Sequence, residues 1–240
     1  MKPITPVFTS MDVVILCGGK GTRLQPVLSD RPKALAPFGK VTFLDILIAS
    51  LKEYGFEKFI LCTGYMKEQI RHHFENTGNP AVLFSDEDVP LGTGGALRNA
   101  RPLIQSSTFL VLNGDSLCSI DYNAFYRFHK EKKALLSMAL VHIADRKDFG
   151  SVLLSESGEI TGFIEKGTTG GGGYINAGVY FMEKEIFSHL PDTRSFSLEQ
   201  DVFPTLSHYR CFGFPLDGEL MDIGTPERFR KAQGMLKDTL

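Results

Sequence analysis

The first 145 residues alternate short apolar runs with longer amphipathic segments, and this alternation limits the possible folds more than any other feature. Residues 12–17 (DVVILC) form an almost continuous apolar run, as expected of a parallel strand that is covered on both faces. Residues 42–55 (TFLDILIASLKEYG) instead place apolar side chains at helical spacing, with Thr42 as candidate N-cap and Gly55 just past the end. This alternation predicts a doubly wound α/β sheet with right-handed crossovers.

The pattern changes after residue 145. Short apolar runs follow one another, separated by a hairpin-like ESGE and by the glycine run 167–173 (GTTGGGG), and a last helix is expected from Thr225. We expect these strands to extend the first sheet into a mixed sheet, so that residues 1–240 form a single domain without a linker. The glycine run is interpreted either as a surface turn or as a lid over an active site.

Composition and charge exclude several classes of function. Lys and Arg number 26 against 28 Asp and Glu, so no basic excess indicates a nucleic-acid partner. The apolar runs are far shorter than the roughly 20 residues that span a bilayer, and residues 1–10 lack the apolar core of an export signal. The 4 cysteines are widely spaced, without a C-x-x-C pair or zinc spacing. We therefore expect a cytoplasmic protein with reduced thiols and no membrane partner.

The loop after the first strand is the clearest functional signal. In residues 13–39 (VVILCGGKGTRLQPVLSDRPKALAPFG), glycines alternate with cationic side chains, which suits a phosphate. A dinucleotide fingerprint is excluded because, counted from Gly19, its third glycine would fall on Leu24. A P-loop is excluded because the Gly-Lys pairs at 19–20 and 39–40 lack the following Ser or Thr.

What remains is a loop whose glycines allow a ligand to approach the backbone closely. Arg23 offers a planar fork for phosphate oxygens and Lys33 a compact positive charge. A tight surface turn with solvated cations is the alternative interpretation.

Longer segments resemble the sugar-1-phosphate nucleotidyltransferases, which join a nucleoside triphosphate to a sugar phosphate. Seven segments match that family in order: 16–39 (LCGGKGTRLQPVLSDRPKALAPFG), 87–97 (EDVPLGTGGAL), 112–115 (LNGD), 163–167 (FIEKG), 175–180 (INAGVY), 196–204 (FSLEQDVFP) and 222–229 (DIGTPERF). The resemblance covers the chain from about residue 12 to 230. It implies a single Rossmann-like doubly wound mixed sheet of the nucleotide-diphospho-sugar transferase type.

The resemblance also implies the reaction. A sugar phosphate oxygen would attack the α-phosphorus of the triphosphate and expel pyrophosphate, with catalysis by positioning and electrostatics. Arg23 would hold the leaving pyrophosphate and Lys33 would stabilise charge at the α-phosphate. Asp115 and Asp222 would hold Mg²⁺, although each aspartate considered alone is more often a turn or helix-cap residue.

The resemblance divides the substrate contacts between the two halves of the chain. Residues 1–145 would hold mainly the nucleotide, through Leu16, Gly18, Gly19, Gly21, Glu87, Gly92 and Thr93. Residues 146–240 would hold mainly the sugar phosphate, through Gly150, Glu165, Lys166 and Asn176. The segment around Glu165 and Lys166 can also be interpreted as an edge strand with a solvated end.

The sequence constrains the identity of the nucleobase and of the sugar less than it constrains the reaction. The carboxylate of Glu87 could accept the two adjacent donors of guanine, which favours GTP, but it could equally be a solvated loop charge. Within the family, the later segments resemble members that act on D-glycero-α-D-manno-heptose 1-phosphate for bacterial surface glycans (lipopolysaccharide or capsule). Mannose-1-phosphate guanylyl transfer and amino-sugar-1-phosphate uridylyl transfer remain alternatives.

A non-catalytic regulatory paralogue that binds a nucleotide-sugar is an alternative of another class. Such a protein could lose its catalytic residues, whereas this chain retains Arg23, Lys33, Asp115 and Asp222, which favours an enzyme. The sequence does not determine oligomeric state, and a homodimer stays open.

Overall fold

The computed structural model describes residues 8–77, 82–145, 150–164 and 171–236, and the structural statements below concern these residues. Their strands are β1 Asp12–Leu16, β2 Pro37–Phe38, β3 Val41–Thr42, β4 Lys58–Thr63, β5 Val82–Asp86, β6 Thr108–Asn113, β7 Ser116–Cys118, β8 Leu136–Ile143, β9 Ser151–Leu154, β10 Ile160–Ile164, β11 Gly173–Glu183, β12 Cys211–Leu216 and β13 Leu220–Asp222. The α-helices are α1 Phe43–Glu53, α2 Lys67–Thr77, α3 Gly92–Ala100, α4 Tyr122–Glu131 and α5 Pro226–Leu236.

Nine of the described strands form one mixed sheet. Its parallel part has the order β6-β1-β4-β5 and is built from the first half of the chain. Strand β11 pairs antiparallel with β6 and leads to β9 and β10, while β8 pairs with both β11 and β12. The predicted mixed α/β sheet is therefore confirmed, and the second-half strands extend the first sheet as expected.

Helix α1 illustrates how local sequence determines an element. The Thr42 hydroxyl accepts a hydrogen bond from the Asp45 backbone N–H at 3.2 Å, and the Asp45 carboxylate accepts one from the Thr42 N–H at 2.8 Å. This reciprocal capping box satisfies two backbone donors at the helix start. At the other end Gly55 has a φ of +90°, which a glycine adopts at little cost. The predicted cap and terminator of this helix are confirmed.

Two apolar clusters pack against the sheet, and a third one supports the glycine loop. This cluster joins the loop to α5 and consists of Leu24, Leu28, Ala36, Phe38, Phe43, Ile223, Phe229 and Ala232. Because loop side chains are buried against the last helix, the loop is positioned by tertiary packing as well as by β1.

Three of the four cysteines are buried, and the fourth is half-buried. Cys17, Cys62, Cys118 and Cys211 are free, and burial raises the pKa of the Cys17 thiol to about 12. Among the described helices, none combines the length and apolarity required to cross a membrane. Residues 167–170 of the glycine run lie outside the described residues, so its interpretation as a turn or a lid stays open.

Candidate active site

A cleft of about 600 Å³ opens at the carboxyl edge of the parallel strands. Open α/β sheets bind ligands in this position. The predicted residues that line it are Leu16, Gly18, Gly19, Gly21, Arg23, Lys33, Glu87, Gly92, Thr93 and Asp115. The structure therefore brings together both predicted catalytic cations, one predicted metal ligand and all the predicted nucleotide-binding residues.

Two glycines of the loop are required for different reasons: Gly21 for its positive φ, and Gly18 for its close contact with Glu87. Gly21 has a φ of +58°, and a Cβ there would lie 3.1 Å from the Cβ of Lys33. A Cβ on Gly18 would lie 3.0 Å from Oε1 of Glu87. Side chains at these two positions would displace functional groups of the cleft.

Lys33 and Asp115 form a close ion pair on the cleft wall. The Lys33 Nζ lies 2.5 Å from Oδ2 of Asp115, and the Lys33 side chain is only 13% exposed. The Ser116 hydroxyl donates to the other oxygen of Asp115 at 3.0 Å. Both oxygens of Asp115 are thus oriented, and the Lys33 ammonium group is held at the wall of the cleft.

Asp222 is brought next to Asp115 by a two-stranded ribbon. Strands β7 and β13 pair antiparallel with Asp222 opposite Ser116, and the Ile223 N–H donates to the backbone oxygen of Asp115 at 3.0 Å. Oδ1 of Asp222 accepts from the Gly224 N–H at 2.8 Å, and Arg228 Nη1 lies 3.0 Å from Oδ2.

Gly224 marks the point where the charged groups meet. A Cβ on Gly224 would lie 2.7 Å from Oδ1 of Asp222, 3.6 Å from Nζ of Lys33 and 3.7 Å from Nη2 of Arg23. Gly224 lines the cleft, whereas Asp222, the second predicted metal ligand, lines a neighbouring cavity of about 400 Å³ together with Arg228. Two cations and a carboxylate therefore surround one glycine at the cleft wall.

This donor set fits a magnesium ion. Asp115, just before β7, and Asp222, the last residue of β13, supply carboxylate oxygens at the same end of one ribbon. Mg²⁺ is typically held by one or two carboxylates, with substrate phosphates and water completing its shell. The described residues contain no group of three or more His, Cys, Asp or Glu side chains arranged for a metal. A site here would therefore depend on the nucleotide for its remaining ligands.

Glu87 projects into the cleft on the side of β5. Burial raises the pKa of its carboxyl group, and a hydrogen bond from the Leu91 N–H, 3.1 Å from Oε2, partly opposes this. Its Oε1 lies against Gly18 and Gly64, since a Cβ on Gly64 would be 2.5 Å from that oxygen. The carboxylate is thus oriented by backbone on three sides.

Thr93 and Gly92 anchor the start of α3. The Thr93 hydroxyl donates to the Glu199 carboxylate at 2.6 Å and accepts from the Leu198 N–H at 2.8 Å. Gly92 has a φ of +72°, and a Cβ there would lie 2.5 Å from the Phe196 oxygen. Both residues line the cleft, but the hydroxyl of Thr93 already serves to join α3 to the segment from 196 to 202.

The predicted sugar-phosphate residues are only partly described. Gly150 precedes β9, and a Cβ there would lie 3.1 Å from the Ile164 oxygen. Asn176 is not among the described residues that line the cleft: its Nδ2 donates to the Tyr180 hydroxyl at 2.7 Å, and its Oδ1 accepts from the Gly178 N–H at 2.8 Å. Glu165 and Lys166 lie outside the described residues, so their roles stay predictions.

Sequence reasoning missed four residues around the cleft. Gly64, Asn113 and Gly224 line it, and Arg228 holds Asp222. Gly64 and Asn113 each sit at the carboxyl end of a parallel strand, which is a usable signal. The role of Arg228 depends on the turn between β13 and α5, which periodicity does not reveal.

The chain is similar to a protein family and to several known enzymes. A family model described as nucleotidyl transferase matches residues 12–239. The D-glycero-alpha-D-manno-heptose 1-phosphate guanylyltransferase of Aneurinibacillus thermoaerophilus is 35% identical over 229 residues, which is 95% of this chain and 99% of that protein. The mannose-1-phosphate guanylyltransferase of Mycobacterium tuberculosis is 33% identical over 91% of this chain, which spans 62% of that protein.

A solved structure is similar over almost the whole chain. The crystal structure of HddC from Yersinia pseudotuberculosis has a TM-score of 0.84 and 34% identity, and the match covers 94% of this chain and 99% of HddC. A second structure of HddC, complexed with GMP-PN, has a TM-score of 0.82.

Proposed function

This chain belongs to the nucleotidyl transferase family, and on that premise we propose that it transfers a guanylyl group from GTP to D-glycero-α-D-manno-heptose 1-phosphate. The observation that carries the proposal is the meeting of Arg23, Lys33 and Asp222 around Gly224, with Asp115 paired to Lys33, in a cleft at the carboxyl edge of the sheet. The relative that guanylylates this heptose phosphate, which matches 95% of the chain, supports the choice of substrates.

The reaction joins two anions, so its main barrier is charge repulsion and alignment. An oxygen of the sugar phosphate attacks the α-phosphorus, the bond to the β-phosphate breaks, and pyrophosphate leaves with the bonding electrons. Lys33 is largely buried, so its charge acts on the α-phosphate with little screening by water. Arg23 holds the departing pyrophosphate through paired N–H donors.

Magnesium fits the proposal as a cofactor held by Asp115 and Asp222. When bound there, the ion would supply positive charge to the phosphates of both substrates. Lys33 and Arg228, which pair with the two aspartates, orient the carboxylates from the protein side.

Guanine fits the side of the cleft that holds Glu87. The base presents two adjacent donors, N1–H and the exocyclic amine, to a carboxylate, whereas uracil and thymine present one. The hydrogen bond from the Leu91 N–H orients the Glu87 carboxylate before the base binds, so the carboxylate need not reorganise to accept the two donors of guanine.

A pyrophosphate-release panel tests the proposal. GTP, UTP, CTP, ATP and dTTP would each be combined with heptose, mannose, glucose and amino-sugar 1-phosphates. We expect turnover with GTP and the heptose phosphate. Turnover with UTP and not with GTP would contradict guanylyl transfer, and turnover with no pair would favour the regulatory paralogue.

Mannose 1-phosphate is the second candidate acceptor. It is supported by the mannose-1-phosphate guanylyltransferase that is 33% identical, although this chain spans only 62% of that protein. The two acceptors would be compared by kcat/KM with GTP, and a higher value for mannose 1-phosphate would replace the heptose assignment.

The metal role of Asp115 is tested by Asp115→Asn. We expect loss of Mg²⁺-dependent turnover with an unchanged melting temperature, because the amide keeps the shape of the side chain and removes its charge. Asp192→Asn, at an exposed position, is the matched control. Near-normal turnover of Asp115→Asn would remove this residue from the metal site.

We assign the reaction to the cytoplasm and its product to bacterial surface-glycan synthesis, in lipopolysaccharide or capsule. The spacing of the cysteines and the family resemblance support this assignment. A homodimer stays a prediction, which light scattering of the purified protein would check.

A further inference from the structure

Asp86 holds the end of β5, directly before the residue that is assigned to the base. Strand β5 lies at an edge of the described sheet, so its last residue has a ladder partner on one side only. That partner, Thr63 of β4, accepts from the Glu87 N–H through its backbone oxygen at 2.8 Å, and its hydroxyl donates to Oδ1 of Asp86 at 2.5 Å. The position of Glu87 therefore depends on how firmly Asp86 is held.

Arg71 of α2 holds the other oxygen of Asp86. Its Nε donates to Oδ2 at 3.0 Å, and its Nη2 donates to the same oxygen. The guanidinium also lies over the Phe84 ring, with Cζ 4.6 Å from the ring centroid. Burial raises the pKa of the Asp86 carboxyl, but hydrogen bonds from Thr63 and Arg71 outweigh it and lower the pKa. We call these hydrogen bonds from Thr63 and Arg71 the Asp86 clamp.

A second ion pair, on the other side of Glu87, is less firm. Lys67 Nζ lies 2.6 Å from Oδ1 of Asp88, but the Asp88 side chain is 89% exposed, against 25% for Asp86. Exposed ion pairs do little to fix a segment, because water competes for both charges. The Asp86 clamp is thus the firmer of the two ties between α2 and the segment that carries Glu87.

The clamp itself lies outside the cleft. Neither Arg71 nor Asp86 is among the described residues that line it, whereas Glu87 is. The clamp can therefore affect a bound base only through Glu87. A carboxylate that accepts two adjacent donors must be correct in both position and rotation, so a small displacement of its backbone weakens at least one of the two bonds.

We infer that Arg71 is a positioning residue for base specificity: by clamping Asp86 to α2, it holds the Glu87 carboxylate where guanine presents its two donors. The inference rests on the proposed function, which assigns Glu87 to guanine. Loss of the clamp weakens the hydrogen bond that distinguishes guanine from a base with a single donor. It leaves the groups that hold the phosphates in place.

ITP provides the readout, because its base keeps the N1–H of guanine and lacks the exocyclic amine. The ratio of kcat/KM for GTP to kcat/KM for ITP therefore measures the second hydrogen bond to Glu87. We expect Arg71→Met to lower this ratio about ten-fold, as for the loss of one hydrogen bond, with kcat for GTP little changed. Arg71→Lys should restore part of the ratio, since lysine keeps the charge and lacks the planar fork.

Arg210→Met is the matched control. Arg210 also pairs with a carboxylate, that of Glu185, but it is exposed and is not among the described residues that line the cleft. This variant should keep the wild-type ratio of GTP to ITP.

A double-mutant cycle tests whether Arg71 acts through Glu87. If it does, Arg71→Met lowers the ratio no further in a Glu87→Gln background, whereas additive effects would contradict the inference. Calorimetric titration with GDP and IDP gives the same comparison as dissociation constants, independently of turnover.

Two further outcomes would overturn the inference. One is an unchanged ratio in Arg71→Met together with a lowered ratio in Glu87→Gln. The other is a lower melting temperature of Arg71→Met without a change in the ratio, which would indicate a packing role. An unchanged ratio in Glu87→Gln would instead contradict the guanine assignment of the proposed function, and the inference would fail with it.

Discussion

At the scale of single residues, the absence of a side chain at Gly224 is as important as the charges around it. The position of its missing Cβ is within 4 Å of Asp222, Lys33 and Arg23. A methyl group there must move at least one of them. The carboxylate of Asp222 is the nearest, at 2.7 Å, and is also held by the Gly224 N–H.

We therefore expect Gly224→Ala to lower kcat/KM by about 100-fold, the cost of displacing a positioned group by about 1 Å. Steady-state pyrophosphate release measures the change. Gly218→Ala is the matched control, because a Cβ at Gly218 meets no atom within 4 Å. Equal activity of the two variants would contradict the role of Gly224.

The individual residues of the cleft also show how much of a site can be predicted from the sequence. Arg23, Lys33 and Asp115 are recognisable because each lies in a short segment whose residue types suit phosphate or magnesium. Gly224 is not, because its importance depends on Lys33 and Arg23, which lie about 190–200 residues earlier in the sequence. Such relations between distant segments exist only in the folded chain.

At the scale of elements, α3 shows how a tertiary contact overrides local signals. The sequence predicts a helix from about residue 94 to 104, whereas α3 runs from Gly92 to Ala100. The N–H groups of Gly94 and Gly95 donate to the Phe196 oxygen at 3.0 and 3.2 Å, so a distant backbone group caps the helix start. A turn of 3₁₀ helix containing Pro102 follows the end, because proline has no N–H to continue the α-helical hydrogen bonds.

Helix α5 provides a test of backbone conformation. Gly234 is exposed within this helix, and a Cβ there would meet no atom within 4 Å. Gly234→Ala should raise the free energy of unfolding by about 1 kcal/mol, because alanine loses less backbone freedom on forming a helix. Urea denaturation followed by circular dichroism measures it.

Gly55→Ala is the comparison for Gly234→Ala. A Cβ at Gly55 also meets open space, but its φ of +90° disfavours any side chain. This substitution should lower the free energy of unfolding by about 1–2 kcal/mol. Effects of the same sign in both variants would show that conformation does not explain them.

At the scale of the whole molecule, a polar network inside the fold connects α4 to three strands. His129 is fully buried, with Nδ1 2.8 Å from the Ser137 hydroxyl and Nε2 3.3 Å from the Glu183 carboxylate. Glu183 also accepts from Lys130 at 2.8 Å and from Thr108 at 2.9 Å. None of these network residues is among the described residues that line the cleft, so the network should affect stability without touching the substrate groups.

The network makes stability depend on pH. Burial raises the pKa of Glu183, but the His129 ring 3.3 Å away and hydrogen bonds from Lys130 and Thr108 outweigh it and lower the pKa to about 2. Its contribution is therefore complete above about pH 4.5, its ordinary value, and is lost as the pH falls towards 2. Burial lowers the pKa of His129, which favours the unfolded state below about pH 6.5.

We expect the free energy of unfolding to fall on acidification from pH 7, and to fall more steeply below pH 4.5. Glu183→Gln should cost about 1–3 kcal/mol at pH 7 and remove the steeper part. Urea denaturation at a series of pH values measures both, with the exposed Glu185→Gln as control. The same steep loss in Glu183→Gln and wild type would exclude Glu183 as its source.

The pairing of β7 with β13 also determines when the site can form during protein synthesis. It joins Asp115 to Asp222, so the pair of carboxylates comes together only when residues from the far part of the chain have been made. The parallel strands β1, β4, β5 and β6 are complete by residue 113, so a ribosome releases them before residue 222 exists. The glycine loop must wait for the last helix, because its side chains are buried against Ile223, Phe229 and Ala232. We therefore expect a chain that stops before β13 to lack both the second carboxylate and the packing that holds the glycine loop.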